Sequence, residues 1–179
     1  MRNRYPIVRH RELRPRCRWD AWRERRSPLI AGTGQVLVHE TDGVYGTGPS
    51  VPGPAAAVTV VDVHHGARVY VRRLLTTPGG HLEYPVTVLF RCTVVDPVAV
   101  VRARRTGGPW DVRRALAEDP RYRNLTRVLP EDDENGVREA LTALLAPRPA
   151  HRDIPGVRVE FERADVEPAR QIINYETEA

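Results

Sequence analysis

The residues best equipped for chemistry lie near the N-terminus. Arg14, Arg16, Arg18, Arg23, Arg25 and Arg26 interleave with Trp19 and Trp22. Guanidinium groups bind phosphates, and indoles favour a membrane interface or a base on which to stack. From Met1 to Arg26 there are ten Arg against Glu12, Asp20 and Glu24, a balance of +7. The whole chain of 179 residues carries +5, so the remainder is −2 and the basicity belongs to one end. An anionic partner is expected for this arm. Anionic lipid is one candidate, each basic residue near such a surface adding about 1 kcal/mol. Nucleic acid is another, with the arginines tracking phosphates. A third reading docks the arm on its own domain or on a protein partner, with Trp19 and Trp22 as core residues. The chain is also rich in Arg, Ala, Val, Pro and Gly and has no Lys, a bias that supplies arginine everywhere.

Other reactive groups point away from catalysis. Without lysine there is no P-loop lysine, no Schiff base and no lysine general base. Ser27 and Ser50 are the only serines, and neither sits in a nucleophile elbow. Gly32-Thr33-Gly34 and Gly46-Thr47-Gly48 lack the third glycine of a dinucleotide fingerprint. Among Asp62, His64, His65, His81, Cys92 and His151, only Asp62-x-His64-His65 is a close set, and adjacent strand positions point to opposite faces. These histidines are expected to be exposed turn residues. Cys92 reads as a small buried hydrophobe and Cys17 as a surface thiol. Two cysteines so far apart give no disulfide framework. The run Glu131-Asp132-Asp133-Glu134 precedes the clearest helix and reads as its cap. No catalytic residue, cofactor, metal or small-molecule substrate is expected. No apolar run approaches the roughly 20 residues of a spanning helix, and no secretory core follows the first arginines. The expected location is the cytoplasm, including the inner face of its membrane.

The elements that would position these groups begin after residue 32. Gln35 to Glu40 is a short strand closed by Asp42-Gly43, a turn dipeptide. Gly46 to Pro54, with three Gly and three Pro, reads as loop. Ala57 to Val63 and Ala67 to Val71 are strands joined at His64-His65-Gly66, and Thr77-Pro78-Gly79-Gly80 breaks the chain. Val86, Val88, Phe90, Cys92 and Val94 share one face of the best strand, Val86 to Val94. Asp96-Pro97 then starts a helix that Gly107-Gly108 stops. Further helices are expected over Asp111 to Glu118, Arg121 to Leu129 and Glu134 to Ala146. A last strand, Val157 to Glu162, alternates until a bulge near Arg163. The result is one α+β domain over residues 33–168, a mainly antiparallel twisted sheet with short helices on one face. Residues 1–32 form the arm and 169–179 a short polar tail.

Val86 to Val101, VTVLFRCTVVDPVAVV, resembles the SPFH (band 7; stomatin, prohibitin, flotillin) signature, in which a strand ends in a Val/Asp-Pro step leading into a short helix. Gly156 to Pro168 resembles that family's closing strand, and Gln35 to Pro54 its opening strand and Pro-Gly loop. The similarity implies a non-catalytic scaffold that self-associates or binds a protein partner at a membrane. The family's apolar anchor and long heptad helix do not occur in these 179 residues, so domain contacts are expected to carry any assembly. The rival reading is a nucleic-acid-binding protein whose body dimerises. The body's charge of −2, and its lack of an RRM, KH or zinc-finger signature, favour the scaffold.

Overall fold

A computed structural model describes residues 5–13, 26–51, 55–125, 127–129 and 133–172. Its strands are β1 (Ile7–Glu12), β2 (Gln35–Thr41), β3 (Val44–Thr47), β4 (Ala57–Asp62), β5 (Ala67–Thr76), β6 (Leu82–Val94), β7 (Val157–Val166) and β8 (Arg170–Gln171). Between β6 and β7 run the helices α1 (Pro97–Arg105), α2 (Val112–Glu118), α3 (Pro120–Leu125) and α4 (Glu134–Leu145). The class is α+β with antiparallel pairing, as the patterning implies. The described strands nevertheless form two four-stranded sheets, β1-β4-β2-β3 and β5-β6-β7 with β8 beside β6, where the patterning suggested one. The reason lies in β4. Ala57, Val58, Val60 and Val61 are all buried, so β4 is apolar on both faces and needs a sheet centred on itself.

The described residues divide into two compact units. Unit 1 draws on Met1–Ala67, Cys92–Val112 and Asp153–Arg158, and unit 2 on Arg68–Arg91, Arg113–Arg152 and Val159–Ala179.

In unit 1 the first sheet is covered on both faces. Ile7, Val38 and Val61 pack with Val94, Val100 and Val101, which places α1 on one face. Leu37, Val58 and Val60 pack on the other with Leu29 and Ala55, which lie in connections. Two expectations are corrected here. Ile7–Glu12, assigned to the arm with the rest of residues 1–32, is a strand paired antiparallel with β4, Ile7 opposite Val61 and Glu12 opposite Ala57. An edge strand needs only one row of hydrogen bonds, so prolines beside it do no harm. Gly46 and Thr47, read as loop, pair with His39 and Val38 as the end of β3. Glycine serves this edge well, because a Cβ on Gly46 would lie 2.7 Å from the His39 ring. Asp42 and Gly43, with φ of 50° and 78°, make the two-residue turn between β2 and β3.

The step from β6 to α1 is built as the sequence suggests. Asp96 is the N-cap, its carboxylate accepting from Val98 N at 2.9 Å and Ala99 N at 3.0 Å, with Pro97 in the first turn. Gly156 closes over this step. Its carbonyl accepts from the N–H groups of Val95 and Asp96 at 2.8 and 3.1 Å. Its φ of 76° favours glycine, and a Cβ there would collide with the Asp96 carbonyl.

In unit 2, β6 has the alternation expected of it, with Leu89 on its other face buried as well. Val69, Val71 and Leu75 of β5 and Val86, Val88 and Phe90 of β6 are buried, while Arg68, Tyr70, Arg72 and Leu74 face out. Val137, Leu141 and Leu145, on one stripe of α4, are fully buried. Asp133 caps α4 by accepting from Gly136 N at 2.9 Å, and its own N–H donates to Tyr84 Oη at 3.0 Å. Glu131 and Asp132 lie outside the described residues. In β7 the phase changes at Phe161 and Glu162, after which Ala164 and Val166 are buried. Residues Arg170–Gln171, read as tail, pair with Glu83 and Leu82 of β6. α3 ends at Leu125, short of the Leu129 expected.

Candidate functional site

The arm residues Arg14, Arg16, Arg18, Trp19, Trp22, Arg23 and Arg25 lie outside the described residues, as does Cys17. Arg26 is exposed just before Ser27. Of the residues weighed as metal ligands, Asp62 and His64 bond to each other, Oδ1 to Nδ1 at 2.7 Å, with His64 57% exposed. Cys92 is a free, fully buried thiol, pushed up to about 12 by burial and then by the nearby Asp111 carboxylate. Among the described residues no group of three or more His, Cys, Asp or Glu is placed to hold a metal ion. No helix among them is long and apolar enough to cross a membrane.

The structure assembles a polar groove in unit 1 that the sequence did not suggest. On the α1 face of the first sheet, the apolar residues Ile7, Val61 and Val38 give way along the strands to His10, Thr59 and Glu40. The register shift between Ile7 and Arg9 makes this possible. An unbroken strand that turned Ile7 toward α1 would turn Arg9 and Arg11 there too. The extra residue of the bulge re-aims the strand, so His10 and Glu12 point inward instead. The last turn of α1 brings Arg104 and Arg105 over them.

The resulting cavity of about 190 Å3 has Val38, Ala57 and Val101 as its apolar floor. His10 Nδ1 and Thr59 Oγ1 share a hydrogen bond of 2.9 Å. Burial, and then the neighbouring Arg104 cation, hold His10 below the ordinary histidine range, with Glu12 opposing them. Arg105 stands between two carboxylates, Nη1 at 3.5 Å from Glu12 Oε1 and Nε at 3.9 Å from Glu40 Oε2. Both separations exceed the 2.7–2.9 Å of a good charge-assisted bond. Glu40 is only 14% exposed. Arg104 is half-buried, its guanidinium 6.0 Å from the centre of the Trp110 ring. Burial lowers its pKa, against the raising effect of Glu12. Arginine nonetheless stays charged.

Chemically the groove offers a neutral imidazole, a hydroxyl, two cations and two carboxylates in a partly dry setting. The one clue in the sequence was Ile7-Val8, a β-branched pair that favours strand. A bulge leaves no comparable mark. No protein-family model and no curated protein matches this sequence.

Proposed function

We propose that the chain is a non-catalytic assembly domain of the SPFH type, held at the cytoplasmic face of an anionic membrane by its arginine- and tryptophan-rich arm. One observation carries the reading. Two of the three stretches that carry the SPFH resemblance, β6 with its Asp96-Pro97 step and the closing strand β7, are neighbours in one sheet, while the opening strand β2 lies in the other. Gly156, which begins the closing stretch, caps that very step through two backbone bonds. Tyr70 and Leu74, 48% and 57% exposed on the outward side of β5, are apolar groups that contacts between copies would cover.

Solution mass and vesicle binding test the proposal together. The arm must be disabled by substitution, because truncation to residue 27 would also remove β1 from its sheet. The full chain is expected to sediment as more than a monomer and to co-sediment with phosphatidylserine-containing vesicles. Changing Arg14, Arg16, Arg18, Arg23, Arg25 and Arg26 to Gln should abolish the vesicle binding and preserve the fold. Leu74→Glu should lower the mass. A monomer indifferent to vesicles overturns the reading, and salt-sensitive binding to DNA or RNA by the same arm would favour the nucleic-acid alternative.

A further inference from the structure

The groove beneath α1 contains two opposite charges, Arg104 and Glu40, that have no close partner among the described residues. The Arg104 guanidinium is half-buried, yet among the described residues it makes no hydrogen bond or ion pair, only the contact with Trp110. The Glu40 carboxylate is 14% exposed and accepts no hydrogen bond from a described residue, its nearest cation being Arg105 at 3.9 Å. Apart from the Trp110 ring, water and, for Glu40, a long ion pair are all that face these two charges, so a ligand bringing closer partners to both would gain two charge-assisted bonds in one cavity. A ligand that carries both an anion and a cation would satisfy both.

We propose that this groove binds a small zwitterionic amino acid, its carboxylate taken by Arg104 and its ammonium group by Glu40. The fork of a guanidinium suits a carboxylate, which it grips with two parallel bonds. Phosphate fits less well, because Glu12 and Glu40 would repel a dianion. Size restricts the ligand further. A water takes about 30 Å3 in the liquid, so 190 Å3 corresponds to roughly six waters. Glycine, alanine and serine fit that space with room to spare, whereas an aromatic amino acid would fill it completely. The floor of Val38, Ala57 and Val101 suits a short aliphatic side chain, and the bond between His10 and Thr59 fixes the polar wall opposite. This site goes beyond the assembly role and does not depend on it.

The test is a titration of the full chain with alanine, followed by amide chemical shifts. Propionate and ethylamine serve as the two half-ligands, with inorganic phosphate and phenylalanine as controls. Alanine is expected to give saturable shifts in β1, β2 and α1. Each half-ligand should bind at least about tenfold more weakly, since each forms only one of the two charge-assisted contacts. Glu40→Gln and Arg104→Gln should each abolish saturation, and Arg104→Lys, which keeps the charge but loses the fork, should weaken it. Unperturbed spectra elsewhere would establish that these variants fold. Absence of saturable shifts with alanine overturns the proposal. So does saturation that survives both Gln variants, or tighter binding of phosphate than of alanine.

Discussion

At the scale of single residues, the most exacting charge is Asp119. Its side chain is fully buried, and Arg121 holds it with Nη2 to Oδ2 at 2.8 Å while donating its backbone N–H to Oδ1 at 2.9 Å. Burial pushes the carboxyl up, but the bonds and charge of Arg121 outweigh it, and the net pKa lies below the ordinary 3.8. A depressed pKa means that the unfolded state binds the proton more tightly. The contribution to stability is therefore present above pH 3.8 and is lost as pH falls through the folded-state value. Arg121→Ala would strand a buried carboxylate. Because Arg121 is itself 29% exposed and partly screened, we expect a loss of about 2 kcal/mol, below the roughly 3–5 kcal/mol of a fully buried pair that loses one partner. Urea denaturation at pH 7 measures it, and the gap between variant and parent should narrow in acid. Nothing in Asp119-Pro120-Arg121 announced this pair. The dipeptide reads as a helix stop, and burial of the carboxylate depends on residues far along the chain.

At the scale of elements, Gly156 is tied to the junction of β6 and α1 by two backbone bonds, and the Asp96 side chain caps the helix at the same place. Gly156→Ala would force a Cβ onto the Asp96 carbonyl at a φ that side chains avoid. We expect at least about 2 kcal/mol of destabilisation, read from thermal or urea unfolding. Asp96→Ala, which removes only the cap, should cost about 1 kcal/mol. This part of the fold was legible because its signals are local: an alternating run, a capping Asp before Pro, and a stripe at Val137, Leu141 and Leu145. What escaped notice depends on partners distant in sequence. β1 is a strand because β4 offers it an edge, and its inward residues are set by a bulge rather than by alternation. β3 is a strand because the Asp42-Gly43 turn lays it against β2, whatever the propensity of Gly46. The groove combines the bulge of β1 with the end of α1, so no window of sequence contains it.

At the scale of the whole chain, the two units are interleaved. The backbone passes from one to the other between residues 67 and 68, 91 and 92, 112 and 113, 152 and 153, and 158 and 159. Neither can be excised as a continuous fragment, which is why the tests above use substitutions in the full chain. A truncation that removes residues 1–13 should expose one side of β4 and yield insoluble or unfolded protein, as judged by circular dichroism after refolding. The pairing of β1 with β4 also bears on synthesis. Ile7 leaves the ribosome 54 residues before its partner Val61. At about 5–20 residues per second it waits roughly 3–11 s for that partner. Gly156 arrives later still, so β1 belongs to a core that cannot close until residue 156 has been made, and a nascent chain stalled before it would present an unfinished sheet to chaperones.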